Sequence, residues 1–504
     1  MNLLHDAWIP VQQQGVMEKI SLRELLCGEK EGDICLPRDD MEMACLQLIC
    51  AITQVLFVPD NNEGLKKYIR TPISNDEYRS AIQGKEDWFD LDHPETPFMQ
   101  FKEVKSEKPT SMDKLLAGVE DGTNKVFINP QGLADGLCPS CASIALFNVA
   151  NNCPSMGGGF KGSLRGSTPI TILLKGPDLR QTIWLNVLTK KILKEVMPWF
   201  EETTNQRPNY VDHIKAGEKF AAASIGLARG LLWQPAHFCL LPEDTHNSCS
   251  CCGVYTHLYT AFNKEKFTYS IDGMWPHPLS SRTFRIRGGV REEKFPSFTT
   301  TAPSWVQMSK LLVAKNENME GQQPAPVVQQ ARDIIKNARI QFVVGGYRNN
   351  QATVLERRHD FFDLSQGWAD HPDLIDDLVK TGQGFKTALR SALYLFANGI
   401  KDKVKGAGVD LCDQYDRLYY QQTQIDMERA FSRINFTDPE PIFSSLEHGL
   451  RKTVEDLFSV ATEPYQQEPK MLKALAIARK TLCKKIAELK STERGGMNET
   501  IIQE

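Results

Sequence analysis

The chain has 504 residues, of which 41% are hydrophobic, so it can bury large cores and is expected to divide into two or three domains. It lacks a run of eighteen apolar residues and an N-terminal basic region followed by an apolar stretch, which predicts a cytoplasmic protein with no membrane span. With 59 Lys and Arg against 63 Asp and Glu, the formal charge is -4, whereas free-standing DNA-binding proteins usually carry a basic excess. Any contact with nucleic acid must therefore be local or shared with basic partners.

Residues 1–370 are predicted to form one large, irregular α+β domain. Short β-rich runs such as Pro169 to Leu174 alternate in this region with clusters of Gly, Pro and Asn. The first major change in composition falls near residue 370, where helical periodicity replaces the β-rich pattern, and this predicts a domain boundary.

Thirteen cysteines in so long a chain, some in apolar settings such as Cys45, indicate reduced thiols and not a disulfide framework. Two short pairs have the spacing of a tetrahedral zinc site, and we expect the ligands to be Cys138, Cys141, Cys249 and Cys252. Cys251 would be the odd thiol. Four protein ligands leave no open position for water, so the zinc would be structural; the alternative is four unliganded cysteines.

Gly157, Gly158 and Gly159 form a glycine loop that does not fit the Walker pattern, since no Gly-Lys-Ser or Gly-Lys-Thr follows. Three successive glycines let a backbone approach another surface closely, and the narrow minor groove of a DNA duplex requires such an approach. The alternative is a flexible turn.

Two basic segments follow along the chain. Lys264 and Lys266 lie on an alternating segment that runs to Tyr269, and in a strand the two lysines would share a face; either could also be an ordinary solvated lysine. A basic hairpin around two glycines is also predicted, and its candidate contacts to duplex phosphates are Arg285, Arg287 and Arg291.

The segment from Gly345 to Gln351 places flat amide side chains on a predicted tight turn, directly after a predicted buried strand over residues 340–344. Such a tip can form hydrogen bonds or insert between flat partners such as bases, whereas the alternative is a solvated turn.

Residues 371–492 are predicted to form a C-terminal four-helix bundle, with a disordered tail over 493–504. Apolar residues recur at helical spacing from Phe385 to Phe396, and similar stripes cover about 410–434, 442–460 and 467–489. On the last helix, Lys473, Lys480 and Lys484 fall on one stripe that could guide single-stranded DNA or form a solvated face.

Several motifs in fixed order carry a family resemblance over essentially the whole chain: MNLLHDAWIPV, LPRDDMEMA, NNCPSMGGGFKGSLRG, FNKEKF and GGYRNNQ. In order and spacing they resemble the large subunit (CasA) of the type I-E CRISPR Cascade surveillance complex. The resemblance implies the same two-domain architecture, a partnership with the guide RNA and the other Cascade subunits, and a zinc site that some members carry.

The resemblance also implies roles for individual residues, and it implies that the glycine loop, the lysine segment and the polar tip converge. The glycine loop, with Gly158 as its best single residue, and Lys266 would contact the protospacer-adjacent motif (PAM) in double-stranded target DNA. Asn350 and Gln351 would act as the wedge that begins duplex separation and R-loop formation. A loop with Phe127, Ile128 and Asn129 would dock on the guide RNA and a neighbouring subunit.

The predicted function is therefore that of a non-catalytic recognition subunit, since HExxH, a nucleophile elbow and paired metal carboxylates are all missing from the sequence. Cleavage would fall to a nuclease-helicase that the bundle helps to recruit. The alternatives are a purely structural cap of a ribonucleoprotein and, as the enzyme hypothesis, a zinc-dependent hydrolase.

Overall fold

A computed structural model describes residues 1–118, 134–335, 338–401 and 403–497 of the chain. Its contacts divide the chain into two compact units. Unit 1 comprises residues 1–300, 314–335 and 341–361, and unit 2 comprises residues 301–313, 336–340 and 362–504, within the described ranges. The main part of unit 2 thus starts a few residues before the predicted boundary near 370, and two earlier segments of the chain also belong to it.

The α-helices lie at α1 (Leu22–Leu26), α2 (Asp39–Leu56), α3 (Asn62–Arg70), α4 (Asn75–Ile82), α5 (Pro139–Asn151), α6 (Leu179–Leu185), α7 (Lys190–Val196), α8 (Leu227–Leu231), α9 (Met308–Leu312), α10 (Pro326–Ile334), α11 (Pro372–Asn398), α12 (Cys412–Arg433), α13 (Glu440–Thr462) and α14 (Leu472–Met497).

The strands lie at β1 (Ile9–Gln13), β2 (Val16–Ile20), β3 (Asp33–Ile34), β4 (Thr110–Ser111), β5 (Thr171–Lys175), β6 (Lys219–Ala221), β7 (His237–Ser248), β8 (Tyr255–Glu265), β9 (Ser270–Asp272), β10 (Arg282–Arg287), β11 (Val290–Lys294), β12 (Lys315–Asn316), β13 (Glu320–Gln323), β14 (Ile340–Asn350), β15 (Thr353–Leu364), β16 (Gly399–Ile400) and β17 (Val404–Lys405). Helices and several small, mostly antiparallel sheets together confirm the predicted α+β class.

The core of unit 1 is built around α2 and α5, which pack against each other. Every residue of α5 is buried, and α2 buries fourteen side chains, including the predicted core thiols Cys45 and Cys50. All thirteen cysteines lie in the described ranges and all are free, as the sequence predicted. None of the helices in the described ranges combines the length and the apolarity that a membrane crossing requires.

A three-stranded antiparallel sheet in the order β15-β14-β5 carries the polar hairpin tip. β14 continues to Asn350, so the prediction that Gly345 and Gly346 belong to a turn is wrong. These glycines are needed for close packing inside the strand: a Cβ at Gly345 would lie 2.1 Å from Sδ of Met43, and one at Gly346 would lie 3.0 Å from the carbonyl oxygen of Pro169.

In unit 2, helices α12, α13 and α14 cover the three predicted helical stripes, and α11 packs against each of them. Their arrangement as a four-helix bundle stays a prediction. α14 continues to Met497, whereas the sequence predicted a disordered tail from residue 493; residues 498–504 lie outside the described ranges.

Candidate nucleic-acid interface and metal centre

Three segments that are far apart in the sequence meet at one place on unit 1. A Cβ added at Gly157 would lie 3.4 Å from Cβ of Ala352, in the turn of the β14–β15 hairpin. One added at Gly159 would lie 3.9 Å from Nζ of Lys266. The glycine loop therefore lies between the hairpin turn and the lysine, and the structure brings the predicted tips together.

The three glycines are needed because of their backbone conformation. Gly157, Gly158 and Gly159 have φ of +72°, +53° and +92°, a region that other residues enter at a cost of about 1 kcal/mol or more. In the described part of the chain, nothing lies within 4 Å of the position that a Cβ on Gly158 would occupy. Gly158 thus presents bare backbone to the exterior.

Arg165 holds the two ends of the glycine loop together. Arg165 is 3% exposed. Its guanidinium donates to the carbonyl oxygen of Asn151 (2.9 Å), to Oδ1 of Asn152 (2.6 Å) and to the hydroxyls of Thr171 and Ser280 (2.8 Å each). Burial lowers the pKa of Arg165 to about 9. Since its neighbours come from the start of the loop and from the elements beneath it, the arginine gives the loop a fixed base.

The hairpin turn is fixed by Asn349, a residue to which the sequence analysis gave no separate role. Its Nδ2 donates to the carbonyl oxygen of Gln351 at 2.6 Å and to Oγ of Ser167 at 3.2 Å, and its Oδ1 accepts from the hydroxyl of Thr168 at 2.7 Å. Gln351 has φ of +53°, which this bonding stabilises. The side chains of Asn350 and Gln351 are exposed and extend from a fixed turn.

Buried polar groups anchor the hairpin to the core of unit 1. Tyr347 is 2% exposed, donates its hydroxyl proton to Oδ2 of Asp40 at 2.9 Å and accepts from Nδ2 of Asn148 at 2.8 Å. Asp40 also pairs with Arg38 at 2.7 Å. Tyr347 therefore packs into the core of unit 1, and the LPRDD motif contributes to the support of the hairpin.

Glu356 on β15 adds a second support for the hairpin. Its carboxylate accepts from Nε of Arg348 at 2.8 Å and from Nε of Arg358 at 2.9 Å. Burial would raise the pKa of Glu356, but the two arginines together hold this pKa below its ordinary value. The carboxylate is therefore ionised at neutral pH.

The two lysines of the FNKEKF motif have different surroundings. Lys264 lies in β8, half-buried, with Nζ 5.7 Å from the ring centre of Phe160 in the glycine loop, and burial lowers its pKa. β8 ends at Glu265, so the prediction of a strand that runs on to Tyr269 is wrong, and Lys266 follows as an exposed residue. Lys264 supports the loop, whereas Lys266 is accessible beside Gly159.

The predicted basic hairpin is formed by β10 and β11, and Gly288 and Gly289 make the turn. Arg285 pairs with Glu320 at 3.2 Å, and Arg291 pairs with Glu293 at 2.7 Å and covers the ring of Phe284. Arg287 is exposed and has no ion pair with any described residue. Of the three predicted phosphate contacts, Arg287 is therefore the most available.

The other predicted nucleic-acid contacts lie elsewhere. Lys473, Lys480 and Lys484 are exposed on α14 in unit 2, and Lys484 lies 3.5 Å from Glu488. The predicted guide-RNA contacts Phe127, Ile128 and Asn129 lie outside the described residues.

The four predicted metal ligands come together in unit 1. The Sγ atoms of Cys138, Cys141, Cys249 and Cys252 all lie within 4.8 Å of one another, and those of Cys138 and Cys252 are 3.6 Å apart. Tetrahedral zinc with bonds of about 2.3 Å separates its sulfurs by about 3.8 Å, so the spacing fits a tetrahedral metal ion. Among the described residues this is the one cluster of its kind.

Local structure explains why the thiols converge. Cys138 is the N-cap of α5, with Pro139 in the first turn, so Cys141 lies one turn further along the helix. The second pair lies in the turn after β7, which Gly253 closes with φ of +73°. The amide of Cys138 donates to Sγ of Cys249 at 3.3 Å. Hydrogen bonds with the side chain of Cys138, and to a smaller extent with that of Cys141, lower the pKa of Cys252 to about 7. Hydrogen bonding with Cys138 raises the pKa of Cys141, so the thiolate character of the cluster is concentrated on the second pair, Cys249 and Cys252.

Lys19 on β2 is an additional member of the cysteine cluster that the sequence analysis missed. Its Nζ lies 3.3 Å from Sγ of Cys138. Burial opposes the charge of Lys19, but the sulfurs of Cys138, Cys252 and Cys141 raise its pKa above the ordinary value. The lysine lies more than a hundred residues from the cysteines in the sequence, and no motif indicates the contact.

Comparisons with known proteins agree with the fold. The sequence model of the family described as CRISPR-associated protein Cse1 matches residues 2–457. The CRISPR-associated protein CasA/Cse1 of Thermus thermophilus is 29% identical over 126 residues, which is 24% of this chain and 25% of that protein. The sequence alignment thus spans only a quarter of that relative's length.

Solved structures share the fold over nearly the whole chain. A crystal structure of a CRISPR-associated protein from Thermus thermophilus has a TM-score of 0.73 at 18% identity, covering 97% of this chain and 99% of that one. Thermobifida fusca Cse1 has a TM-score of 0.73 at 16% identity, with 97% of each chain covered. A chain of a CRISPR RNA-guided surveillance complex has a TM-score of 0.62 at 14% identity, covering 96% of this chain and 99% of that one. Because the family's sequence model spans most of the 504 residues, the chain belongs to the CRISPR-associated protein Cse1 family.

Proposed function

We propose that this chain is the subunit of an RNA-guided antiviral surveillance complex that recognises the PAM in duplex DNA and helps to start R-loop formation. The observation that carries the proposal is the convergence of Gly157, Gly159, Lys266 and Ala352 at one surface of unit 1. A solved relative with the same fold is a chain of a CRISPR RNA-guided surveillance complex, which supports membership of such an assembly.

The chemistry of the converging residues suits the minor groove. Gly158 exposes backbone without a side chain, as a groove about 6 Å wide requires, and Lys266 supplies a long cation beside it. The minor groove mainly distinguishes A·T from G·C pairs, so this reader would accept several PAM sequences. The neutral amides of Asn350 and Gln351 can enter a base stack without the solvation that a charge would have to lose.

In this proposal, guide RNA pairing supplies sequence specificity while the subunit tests the neighbouring duplex. Phe127, Ile128 and Asn129 would dock on the guide RNA and an adjacent subunit. Arg285, Arg287 and Arg291 would contact duplex phosphates, and Lys473, Lys480 and Lys484 would guide the displaced single strand. The nuclease-helicase would perform the cleavage, and this chain would be non-catalytic.

The same proposal assigns zinc to the cysteine cluster. The spacing of the four sulfurs fits tetrahedral zinc, and the cluster lies at the N-terminus of α5, which favours negative charge. With four cysteine ligands zinc would supply a structural cross-link, joining the start of α5 to the turn after β7.

Two alternatives are separable from this proposal by experiment. A complex assembled with Lys266→Ala and Gln351→Ala together should form normally but lose PAM-dependent binding to duplex DNA, whereas a purely structural cap would keep that binding. A zinc-dependent hydrolase would require one cysteine to be absent from the metal, so the isolated chain would show nuclease activity and a metal bound by fewer than four thiolates.

A further inference from the structure

Two cation–π contacts connect the glycine loop to the lysine segment, residues 264–269, and they run in opposite directions. Nζ of Lys264 lies 5.7 Å from the ring centre of Phe160, the residue that follows the three glycines. The next loop residue, Lys161, places its Nζ 5.9 Å from the ring centre of Tyr269. Each side therefore supplies one cation and one aromatic ring, within the distance of about 6 Å at which such pairs attract each other.

The two cation–π pairs enclose the contact between the glycine loop and Lys266. In the sequence, Lys266 lies between Lys264 and Tyr269, the two residues that contribute to the pairs. A Cβ added at Gly159 would lie 3.8 Å from Cδ of Lys266, so the lysine side chain runs along the loop. Three successive loop residues thus meet three residues of the lysine segment, and these contacts hold the backbone at Gly158 and the ammonium group of Lys266 at a set separation.

The lysine segment is anchored to the core of unit 1 and can serve as the fixed side of this contact. Tyr269 is buried, and its hydroxyl accepts a hydrogen bond from Nε1 of Trp233 at 3.0 Å. Phe267 is also buried and stacks on His237 with ring centres 4.3 Å apart. His237 stacks in turn on Phe101, with ring centres 3.9 Å apart. The buried rings that alternate with the exposed residues of the segment therefore fix its backbone.

The glycine loop depends on neighbouring side chains to hold its tip in place. Glycine has more conformational freedom than any other residue, and it carries no side chain that could pack. The amide of Phe160 donates to the carbonyl oxygen of Gly157 at 3.0 Å, which closes the turn, and Arg165 holds the start of the loop. Neither contact sets the distance to the lysine segment. That distance is set by Phe160 and Lys161, the first two side chains after the glycines.

From these contacts we propose that Phe160, Lys161 and Lys264 are positioning residues that make the PAM contact selective, an inference that rests on the proposed function. They fix the distance between the backbone at Gly158 and the ammonium group of Lys266. Successive base pairs lie about 3.4 Å apart along the duplex, so a shift of that size would place the lysine against a different pair. Phosphates attract Lys266 whatever the sequence, so loss of the fixed distance weakens discrimination between duplexes more than affinity.

The test uses the assembled complex and measures its affinity for two duplexes that differ only in whether they contain the PAM. Lys264→Met should lower the ratio of the two affinities at least about fivefold, and Lys161→Met about threefold, because Lys161 is more exposed and its contact is weaker. Lys161→Arg should retain the wild-type ratio, because a guanidinium group also binds to an aromatic face. Phe160→Leu combined with Lys264→Met should lower the ratio no further than Lys264→Met alone, because both changes remove the same contact.

Lys191→Met, at an exposed lysine of α7 in the same unit, is the matched control and should leave the ratio unchanged. Equal weakening of both duplexes by Lys264→Met and Lys161→Met would overturn the proposal, because the two lysines would then bind phosphates directly. Wild-type ratios in both variants, while Lys266→Ala lowers the ratio, would also overturn it but leave the proposed function intact. An unchanged ratio for Lys266→Ala would instead count against the proposed PAM contact itself. Should Lys264→Met fail to fold, Lys161→Met, at an exposed side chain, carries the same test.

Discussion

Gly158 offers the sharpest test of the proposed minor-groove contact. Its φ of +53° lies in the left-handed region, and a Cβ there would meet no described atom within 4 Å. Gly158→Ala should therefore destabilise the fold only through its backbone, by about 1 kcal/mol, which a protein with about 5–15 kcal/mol of stability tolerates. If a DNA groove closes over this position, the same methyl group should weaken PAM-dependent binding at least tenfold, or about 1.4 kcal/mol.

The Gly158→Asn variant distinguishes the effect of backbone strain from the effect of a side chain that blocks close approach to DNA. Asparagine adopts the left-handed conformation more readily than alanine, but its side chain is larger. The complex assembled with Gly158→Asn should fold better than the alanine variant and bind duplex DNA no better. The measurement is association with duplexes that contain or lack the PAM. Gly15→Ala is the matched control, since Gly15 has φ of +82° and open space around it. Wild-type binding by the asparagine variant would show that conformation alone matters at this position and would refute the reasoning.

Three further predictions concern the wedge, the metal centre and the hairpin. Gln351→Ala should slow R-loop formation on duplex targets more than on targets already unpaired beside the PAM, as measured by stopped-flow fluorescence; equal slowing on both would contradict the wedge. Lys19→Met should release zinc to a chelator about tenfold more readily, because it removes the cation 3.3 Å from Cys138. Lys30→Met, which removes a half-buried lysine paired with Glu18, should not change the release rate, and equal release rates for the two variants would contradict this role. Glu356→Gln should lower the melting temperature at pH 7. The stabilisation from the Glu356 ion pairs is complete above the carboxyl pKa of the unfolded chain, about 4.3, and is lost as the pH falls through the lower pKa that Glu356 has in the folded protein. A melting-temperature difference between wild type and variant that persists in strong acid would therefore count against the ion pairs.

The sequence predicted the elements that local chemistry determines. The two cysteine pairs have zinc-ligand spacing, the arginine hairpin turns at Gly288 and Gly289, and the helical stripes of unit 2 recur at steps of three and four residues. The meeting of the glycine loop, Lys266 and the β14–β15 turn was expected only as a consequence of function, since no periodicity shows which loops share a surface.

What the sequence could not reveal depends on contacts between distant residues. Gly345 and Gly346 resemble a turn, but they lie inside β14, where Met43 and Pro169 leave no room for a side chain. Three contacts join residues that lie far apart in the chain: the hydrogen bond from Arg165 to Ser280, the hydrogen bond from Thr168 to Asn349, and the contact of Lys19 with Cys138. The two early segments of unit 2 likewise leave no mark in composition, since membership of a unit is decided by packing.

The central claim is that the polar hairpin turn touches duplex DNA beside the target. A photo-reactive amino acid at position 351 of the assembled complex, irradiated on a PAM-containing duplex, would report that contact directly when the cross-linked nucleotide is mapped. The account predicts cross-links confined to the base pairs at the junction of the PAM and the target. Cross-links spread evenly along the duplex, or formed only with RNA or neighbouring subunits, would contradict it.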